Sequence, residues 1–198
     1  MNEVRILAFS GSLRRGSYNT SIARAAAAGA ERAGAAVTFL ELAELDLPLF
    51  SEDLERDSGM PAGALRLKQE LAAAQGVLIA SPEYNSSLTA ALKNALDWAS
   101  RKATPDERAG ISYRGKVASL LAASPGSLGG LRGLVHLRAI LGNLGMHVVP
   151  GQRAVSKVHE SLDAQGAVTN AKLRARLDDQ AAELVRVCRL LHSSESGS

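Results

Sequence analysis

The chain has 198 residues, of which 46% are hydrophobic and 22% are charged, as expected for a single globular domain. Its net charge of +3 comes from scattered Lys and Arg residues, and only 4% of the residues are aromatic. These values argue against a nucleic-acid-binding surface. The single cysteine, Cys188, excludes an intramolecular disulfide and a CxxC redox pair.

No feature of the sequence points to a secreted or membrane protein. The apolar run near residue 5 is too short for a signal peptide, and no stretch approaches the length of a membrane span. We therefore expect a cytoplasmic protein with no membrane partner. The four histidines are dispersed without the spacing of metal ligands, and no metal site is predicted.

Short apolar runs alternate with helical patterns along the chain. The predicted strands are Val4–Ser10, Ala36–Leu42, Gly76–Ser81, Lys116–Ala123 and His147–Pro150. The predicted helices are Thr20–Ala33, Pro61–Ala74, Leu88–Arg101, Leu128–Leu144 and Asn170–His192, with a polar stretch from Ser51 to Gly59. This alternation predicts an α/β fold, a doubly wound parallel sheet with helices on both faces. We expect residues 1–192 to form one domain, followed by a disordered tail at 193–198.

The segment from Ser10 to Thr20, called the first loop here, joins the first predicted strand to the first helix. It offers hydroxyl, amide and guanidinium donors: Ser10, Ser12, Arg14, Ser17 and Asn19. Such donors beside a helix N-terminus favour a phosphate site. A plain helix cap with surface arginines is the alternative, although the donors outnumber what capping needs.

Two common phosphate-binding patterns do not match the first loop. Gly11 and Gly16 have the spacing of a Walker loop, but residue 17 is Ser where that motif has Lys. Leu13 stands where the dinucleotide pattern GxGxxG needs its second glycine. Neither nucleoside triphosphate chemistry nor a Rossmann NAD site is therefore expected.

Two further segments follow predicted strands, the second loop (Ser81–Ser87) and the third loop (Ser124–Gly130). In the second loop, Tyr84 supplies a flat face and Asn85 supplies a donor and an acceptor; the third loop contains glycines that permit close backbone approach. Each loop alone could be a simple turn. Because parallel strands end at one sheet edge, the three loops together predict a pocket for a phosphate and a planar heterocycle.

Three motifs resemble the NADPH-dependent FMN reductase family of flavodoxin-like proteins, in particular its quinone, chromate and azo-compound reductases. GSLRRGSYN (Gly11–Asn19) resembles the family's phosphate loop, and SPEYNSSLTAALKNALDW (Ser81–Trp98) its flavin-ring motif. SPGSLGGLRGLVHLRAIL (Ser124–Leu141) resembles its third loop and the helix that follows. The resemblance implies a flavodoxin-like sheet with strand order 2-1-3-4-5.

The resemblance also implies the cofactor and the residues that bind it. FMN would be bound, with NADPH or NADH as substrate, and a ping-pong reaction would pass electrons to a quinone, azo compound, chromate or free flavin. The implied FMN-binding residues are Ser10, Ser12, Leu13, Arg14, Ser17, Tyr18, Asn19, Pro82, Glu83, Tyr84, Asn85, Ser124 and Gly126. No catalytic side chain is expected, because the flavin carries the chemistry. A homodimer or homotetramer is implied, with the helix Leu88–Arg101 as a candidate contact.

Several other side chains have a simpler interpretation than a functional one. Cys188 lies on the inward stripe of the last helix and is expected in the core, as is Trp98. Glu83 is expected to be a solvated or interface charge, pairing with an arginine across a dimer. Arg15 is expected to be a surface charge, with attraction of the NADPH phosphate as the alternative.

Two competing functions use the same fold. A flavodoxin-like electron carrier would bind FMN without a nicotinamide substrate, but such carriers are usually acidic, whereas the pI of this sequence is about 9.2. A regulatory protein with an altered site is disfavoured because all three loops retain their hydrogen-bond donors.

Overall fold

The computed structural model describes residues 3–192, in which five parallel strands form one sheet in the order β2-β1-β3-β4-β5. The strands are β1 (Val4–Ser10), β2 (Ala35–Leu40), β3 (Gly76–Ala80), β4 (Val117–Ala123) and β5 (His147–Val155). The α-helices in this part of the chain are α1 (Tyr18–Arg32), α2 (Glu52–Ser58), α3 (Ala62–Ala73), α4 (Ala90–Ser100), α5 (Leu131–Asn143) and α6 (Ala171–His192). The predicted fold class and strand order are confirmed.

The helices cover both faces of the sheet and divide the core into two layers. Helices α1 and α6 pack on one face around Ile6, Leu78 and Leu121. Helices α3, α4 and α5 pack on the other face around Leu7 and Ile79. Strands β3 and β4 are buried along their whole length, which explains why they read as continuous apolar runs.

Strand β5 continues five residues beyond its predicted end, from Pro150 to Val155. Its pairing with β4 shifts register between Ala118 and Leu120, at the position of Pro150 and Gly151. The irregularity accommodates a proline at the edge of the sheet. Pro150 therefore marks a break in the ladder rather than the end of the strand.

Helix α2 lies in the polar stretch from Ser51 to Gly59, for which the sequence predicts no helix. None of its side chains is buried, and it therefore carries no apolar period that sequence analysis could detect. Acidic residues in its first turn and Gly59 at its end, with φ of 72°, stabilise it locally. An ion pair of 2.7 Å from Arg101 to Glu55 ties it to the end of α4.

The sequence predicts that helix α5 begins at Leu128, but in the structure it begins at Leu131. Gly129 and Gly130 precede it with positive φ values of 63° and 91°, which are incompatible with a right-handed helix. The predicted tail at 193–198 lies outside the described residues. Among residues 3–192, none of the helices is both long and apolar enough to cross a membrane.

Candidate functional site

The three loops follow β1, β3 and β4, which are neighbours in the sheet. All strands are parallel, and their carboxyl ends therefore lie at the same edge. The sheet thus brings the first, second and third loops together, as the sequence predicts, at the position where open α/β sheets bind ligands.

Serine side chains hold the backbone of the first loop. Ser10 Oγ accepts from the Ser12 N–H and Ser12 Oγ from the Arg14 N–H, each at 3.2 Å. Ser17 caps α1 by accepting from the Asn19 N–H, also at 3.2 Å. All three serines are buried, and within residues 3–192 their hydroxyl protons have no acceptor. Each hydroxyl is therefore fixed in place with one donor unused.

Backbone donors at the start of α1 add to these hydroxyls. In the described chain, the N–H groups of Gly16, Ser17 and Tyr18 donate to no protein acceptor, as is usual for a first helical turn. Gly16 has a φ of 63° and open space beside its Cα. The exposed Arg14 guanidinium lies 5.5 Å from the centre of the Tyr18 ring. Unpaired N–H groups, buried hydroxyls and a guanidinium are a donor set that fits a phosphomonoester.

Asn19 connects the first loop to the end of β4. Its Nδ2 donates to the Ala123 carbonyl at 2.9 Å, and its Oδ1 accepts from the Ala123 N–H at 2.8 Å. The residue is buried, and its amide is engaged at both ends by protein backbone. Asn19 thus has a structural function, and its contact with a phosphate stays a prediction.

Thr89, which sequence analysis did not single out, connects the second loop to the first. Its Oγ1 donates to the Gly11 carbonyl at 2.5 Å and accepts from the Leu92 N–H at 3.1 Å. The latter bond caps α4. A threonine just before a helical pattern is a recognisable cap, but its second partner lies 78 residues away and has no local signal.

The second loop contains a tight hairpin turn. Tyr84 and Ser87 exchange two backbone hydrogen bonds of 2.9 and 3.0 Å. The two residues between them, Asn85 and Ser86, have positive φ values of 50° and 67°. This is the pattern of a type I′ turn made without glycine. The turn presents the Tyr84 side chain to solvent, 55% exposed, whereas Pro82, at the start of the loop, is buried.

Glu83 connects the second loop to α5 through an arginine of its own chain, and a pair across a dimer stays a prediction. Its carboxylate accepts from the Arg132 and Gly133 N–H groups at 2.9 and 3.3 Å and forms an ion pair with Arg132 of the same chain at 2.5 Å. The side chain is 9% exposed. Burial alone would raise the pKa of Glu83, but the hydrogen bonds from Arg132 and Gly133 outweigh it and the pKa is lowered.

The third loop supplies backbone rather than side-chain groups. Ser124 Oγ accepts from the Gly126 N–H at 3.0 Å, and the Ser124 N–H donates to the Val155 carbonyl at 3.0 Å. Gly129 lies so close to β5 that an added Cβ would stand 2.6 Å from the Val155 carbonyl carbon. Gly126 and Leu13 of the first loop are both exposed at the same edge. Exposed residues of the first and third loops therefore lie at one edge of the sheet, and their contact with a ligand stays a prediction.

The side chains expected in the core lie there. Trp98 is fully buried and donates from Nε1 to the Pro48 carbonyl at 2.8 Å. Cys188 is fully buried as well, and burial raises its thiol pKa to about 12, which rules it out as a reactive thiolate. His136 contacts Ser87 Oγ at 2.9 Å. Residues 3–192 contain no cluster of His, Cys, Asp or Glu able to hold a metal ion.

The sequence profile of the NADPH-dependent FMN reductase family matches residues 4–160, which include all three loops. The chain belongs to this family. It is therefore an oxidoreductase, with FMN as cofactor and NAD(P)H as substrate. The donor set of the first loop fits the phosphate of that cofactor.

Curated relatives are similar over most of their length. An NAD(P)H-dependent FMN reductase of Pseudomonas aeruginosa is 38% identical over 187 residues, covering 93% of this chain and 91% of that protein. A quinone reductase of Escherichia coli is 36% identical over 139 residues, which is 70% of each chain. The family assignment thus does not depend on one motif.

Solved structures confirm the fold. FerB, a flavoenzyme NAD(P)H:(acceptor) oxidoreductase from Paracoccus denitrificans, has a TM-score of 0.76 and 29% identity, over 94% of this chain and 98% of that one. An archaeal flavodoxin has a TM-score of 0.59 at 12% identity, over 94% of this chain and 99% of that one, and shows the shared fold alone.

We expect Glu83→Gln to destabilise the folded protein by about 1 kcal/mol at pH 7, because a charge-assisted contact with the half-exposed Arg132 is lost. A carboxylate whose pKa is lowered on folding stabilises the protein above its unfolded pKa, and this contribution disappears as the pH falls through the folded pKa. The difference between variant and wild type should therefore shrink below about pH 4. Urea unfolding at pH 7 and pH 3.5 measures it, and an unchanged difference at the two pH values would contradict the ion-pair assignment.

Proposed function

We propose that this protein transfers two electrons from NAD(P)H to a quinone by a ping-pong reaction at the shared edge of the three loops. Bound FMN would supply the redox chemistry that links oxidation of NAD(P)H to reduction of the acceptor. The overall balance is oxidation of NAD(P)H to NAD(P)⁺ and gain of two electrons and two protons by the quinone. The observation that supports this most is the unused donor set of the first loop, next to the second and third loops.

The first loop would hold the FMN phosphate. The hydroxyls of Ser12 and Ser17 are buried and fixed by hydrogen bonds that they accept, and residues 3–192 offer no acceptor for their protons. Arg14 would add a guanidinium that can pair with two phosphate oxygens. Because the loop is held by its own serines, little ordering is needed when the phosphate binds.

The second and third loops would flank the flavin ring and leave one face accessible. Tyr84 stands exposed on a rigid turn and would form one wall, with the Ser124 and Gly126 backbone opposite. Glu83 is ion-paired and its pKa is lowered, and it is therefore a poor proton donor near neutral pH. We assign protonation of the reduced acceptor to solvent.

An anaerobic two-step experiment tests the ping-pong reaction. NADPH alone should bleach the FMN absorption of the purified protein with one equivalent per flavin, and a benzoquinone added afterwards should restore it. Steady-state double-reciprocal plots at several quinone concentrations should give parallel lines. Intersecting lines would contradict the ping-pong order, and FMN bands that NADPH leaves unbleached would instead support an electron carrier.

We expect Arg14→Ala to raise the dissociation constant of FMN roughly tenfold to a hundredfold, because a charge-assisted hydrogen bond is worth about 1.5–3 kcal/mol. Fluorescence quenching of FMN titrated with apoprotein measures the affinity. Arg176→Ala is the matched control, since Arg176 is an exposed arginine of α6 far along the chain from the three loops. Equal affinities of the two variants would remove Arg14 from the phosphate site.

We also propose that the chain forms a homodimer or homotetramer in the cytoplasm. The exposed face of α4, the helix expected at the contact, carries an ion pair of 2.7 Å between Lys93 and Asp97. A contact through this face would therefore be polar. Apolar side chains are exposed instead in the third loop, at Leu128, and in the following helix α5, at Leu131 and Val135. Sedimentation equilibrium should give at least twice the 20.7 kDa mass of one chain, and Val135→Glu should lower that mass. A mass of one chain at micromolar concentration would refute the assembly.

A further inference from the structure

A cleft of about 660 Å³ opens beside the first loop, away from the second and third loops. One end is formed by residues 14–17, and the floor continues along α1 through Thr20 and Ser21 to Arg24. Glu41, residues 165–168 and Arg174 form the opposite wall. We call this the α1 cleft. Its floor extends over about two helical turns, roughly 12 Å, and its volume is that of a small-molecule site.

The α1 cleft is lined by four arginines and one acidic residue, Glu41. The Glu41 charge is already neutralised, because it forms an ion pair with Arg24, whose guanidinium also stacks on the Phe39 ring at 4.1 Å. Arg174 is oriented by a hydrogen bond to the Val168 carbonyl. Arg15 has no hydrogen-bond or ion-pair partner for its guanidinium within residues 3–192. The cleft therefore keeps a net positive charge beyond Arg14.

Neutral polar groups fill the space between these arginines. The cleft is lined by Thr20 and Ser21 from α1 and by Gln165 from the opposite wall. Gly166, with a φ of 83°, approaches so closely that an added Cβ would lie 2.7 Å from Ser21 Oγ. Cations at the rim with hydroxyl and amide groups between them suit an anionic ester on a polyhydroxylated ligand.

We propose that the α1 cleft binds the adenosine 2′-phosphate of NADPH and that Arg15 and Arg174 give the enzyme its preference for NADPH over NADH. The proposal rests on the function proposed above, in which Arg14 holds the FMN phosphate and leaves these two arginines for another anion. NADPH differs from NADH by one phosphomonoester of nearly two negative charges. Selection between them thus needs cations that contact only that group.

The position of the cleft is consistent with the length of a dinucleotide. The nicotinamide must stack at the second and third loops, which follow β3 and β4, whereas the cleft lies beside β1 and β2. Neighbouring strands are about 4.8 Å apart, and the distance from β4 to β2 is therefore about 14 Å. An NADPH molecule with its nicotinamide at the flavin can span that distance with its pyrophosphate and place the adenosine end near Arg15.

Steady-state kinetics of Arg15→Ala with both nucleotides test the proposal. KM for NADPH should rise roughly five- to tenfold, while KM for NADH changes less than about twofold, because only NADPH has the 2′-phosphate. Arg174→Gln should act in the same direction, and Arg176→Ala, an exposed arginine on the same helix outside the cleft, should change neither constant. An equal rise for both nucleotides, or no rise for either, would overturn the proposal.

A binding measurement separates this proposal from the proposed function. Calorimetric titration of the FMN-loaded protein with adenosine 2′,5′-bisphosphate should show binding that is weakened in Arg15→Ala, whereas adenosine 5′-monophosphate should bind both proteins equally weakly. FMN affinity should be the same in Arg15→Ala and wild type. If Arg15→Ala weakens FMN binding as much as Arg14→Ala does, residues 14–17 of the cleft bind the flavin phosphate and the inference is wrong. If the bisphosphate binds as expected but neither nucleotide reduces the protein, the proposed function fails and the cleft assignment survives.

Discussion

The amide of Asn19 is the contact on which the candidate site depends. It bridges from the start of α1 to both backbone groups of Ala123 and thereby fixes the first loop against the end of β4. Two more contacts complete the set, since Thr89 joins the second loop to the first and Glu83 joins the second loop to the start of α5, after the third loop. Each of these three contacts joins a side chain in or next to one loop to a backbone group in or next to another. Loops that are held in this way keep their ligand geometry without the ligand.

These contacts explain how the first loop can hold buried hydroxyl donors that have no acceptor within residues 3–192. A buried hydroxyl or N–H without a partner costs about 1–3 kcal/mol, and such groups persist only where the surrounding structure holds them. In the first loop, Ser10 and Ser12 accept hydrogen bonds that fix their positions, and Ser17 does the same as the cap of α1. Part of the ordering cost of binding a phosphate is therefore met when the chain folds, which favours tight binding of a phosphorylated ligand.

The sequence predicts the sheet well because its central strands are buried on both faces, which makes β3 and β4 unbroken apolar runs. It predicts the location of the site because parallel strands end at one edge. It does not predict α2, whose side chains are all outside the core. It also misses the partner of Glu83, since Arg132 is 49 residues away and many arginines could have served. The turn at Asn85 and Ser86 escapes detection because neither residue is glycine, although both have positive φ values.

The first loop carries buried serine hydroxyls and exposed arginine side chains, and this difference in burial suits the two kinds of group to different functions. Ser12 and Ser17 are buried, and their direction is set by packing, so that they can discriminate the shape of one phosphate. Arg14 and Arg15 are exposed, and their charge acts over about 8–10 Å before salt screens it. Arg14 lies over Tyr18 on the way into the loop, whereas Arg15 lies at the mouth of the α1 cleft without a partner in the described chain. The two adjacent arginines thus differ in their contacts, since Arg14 contacts the Tyr18 ring and donates to a backbone carbonyl, whereas no partner for the Arg15 guanidinium lies within residues 3–192. This difference in contacts supports assigning them to two different anions.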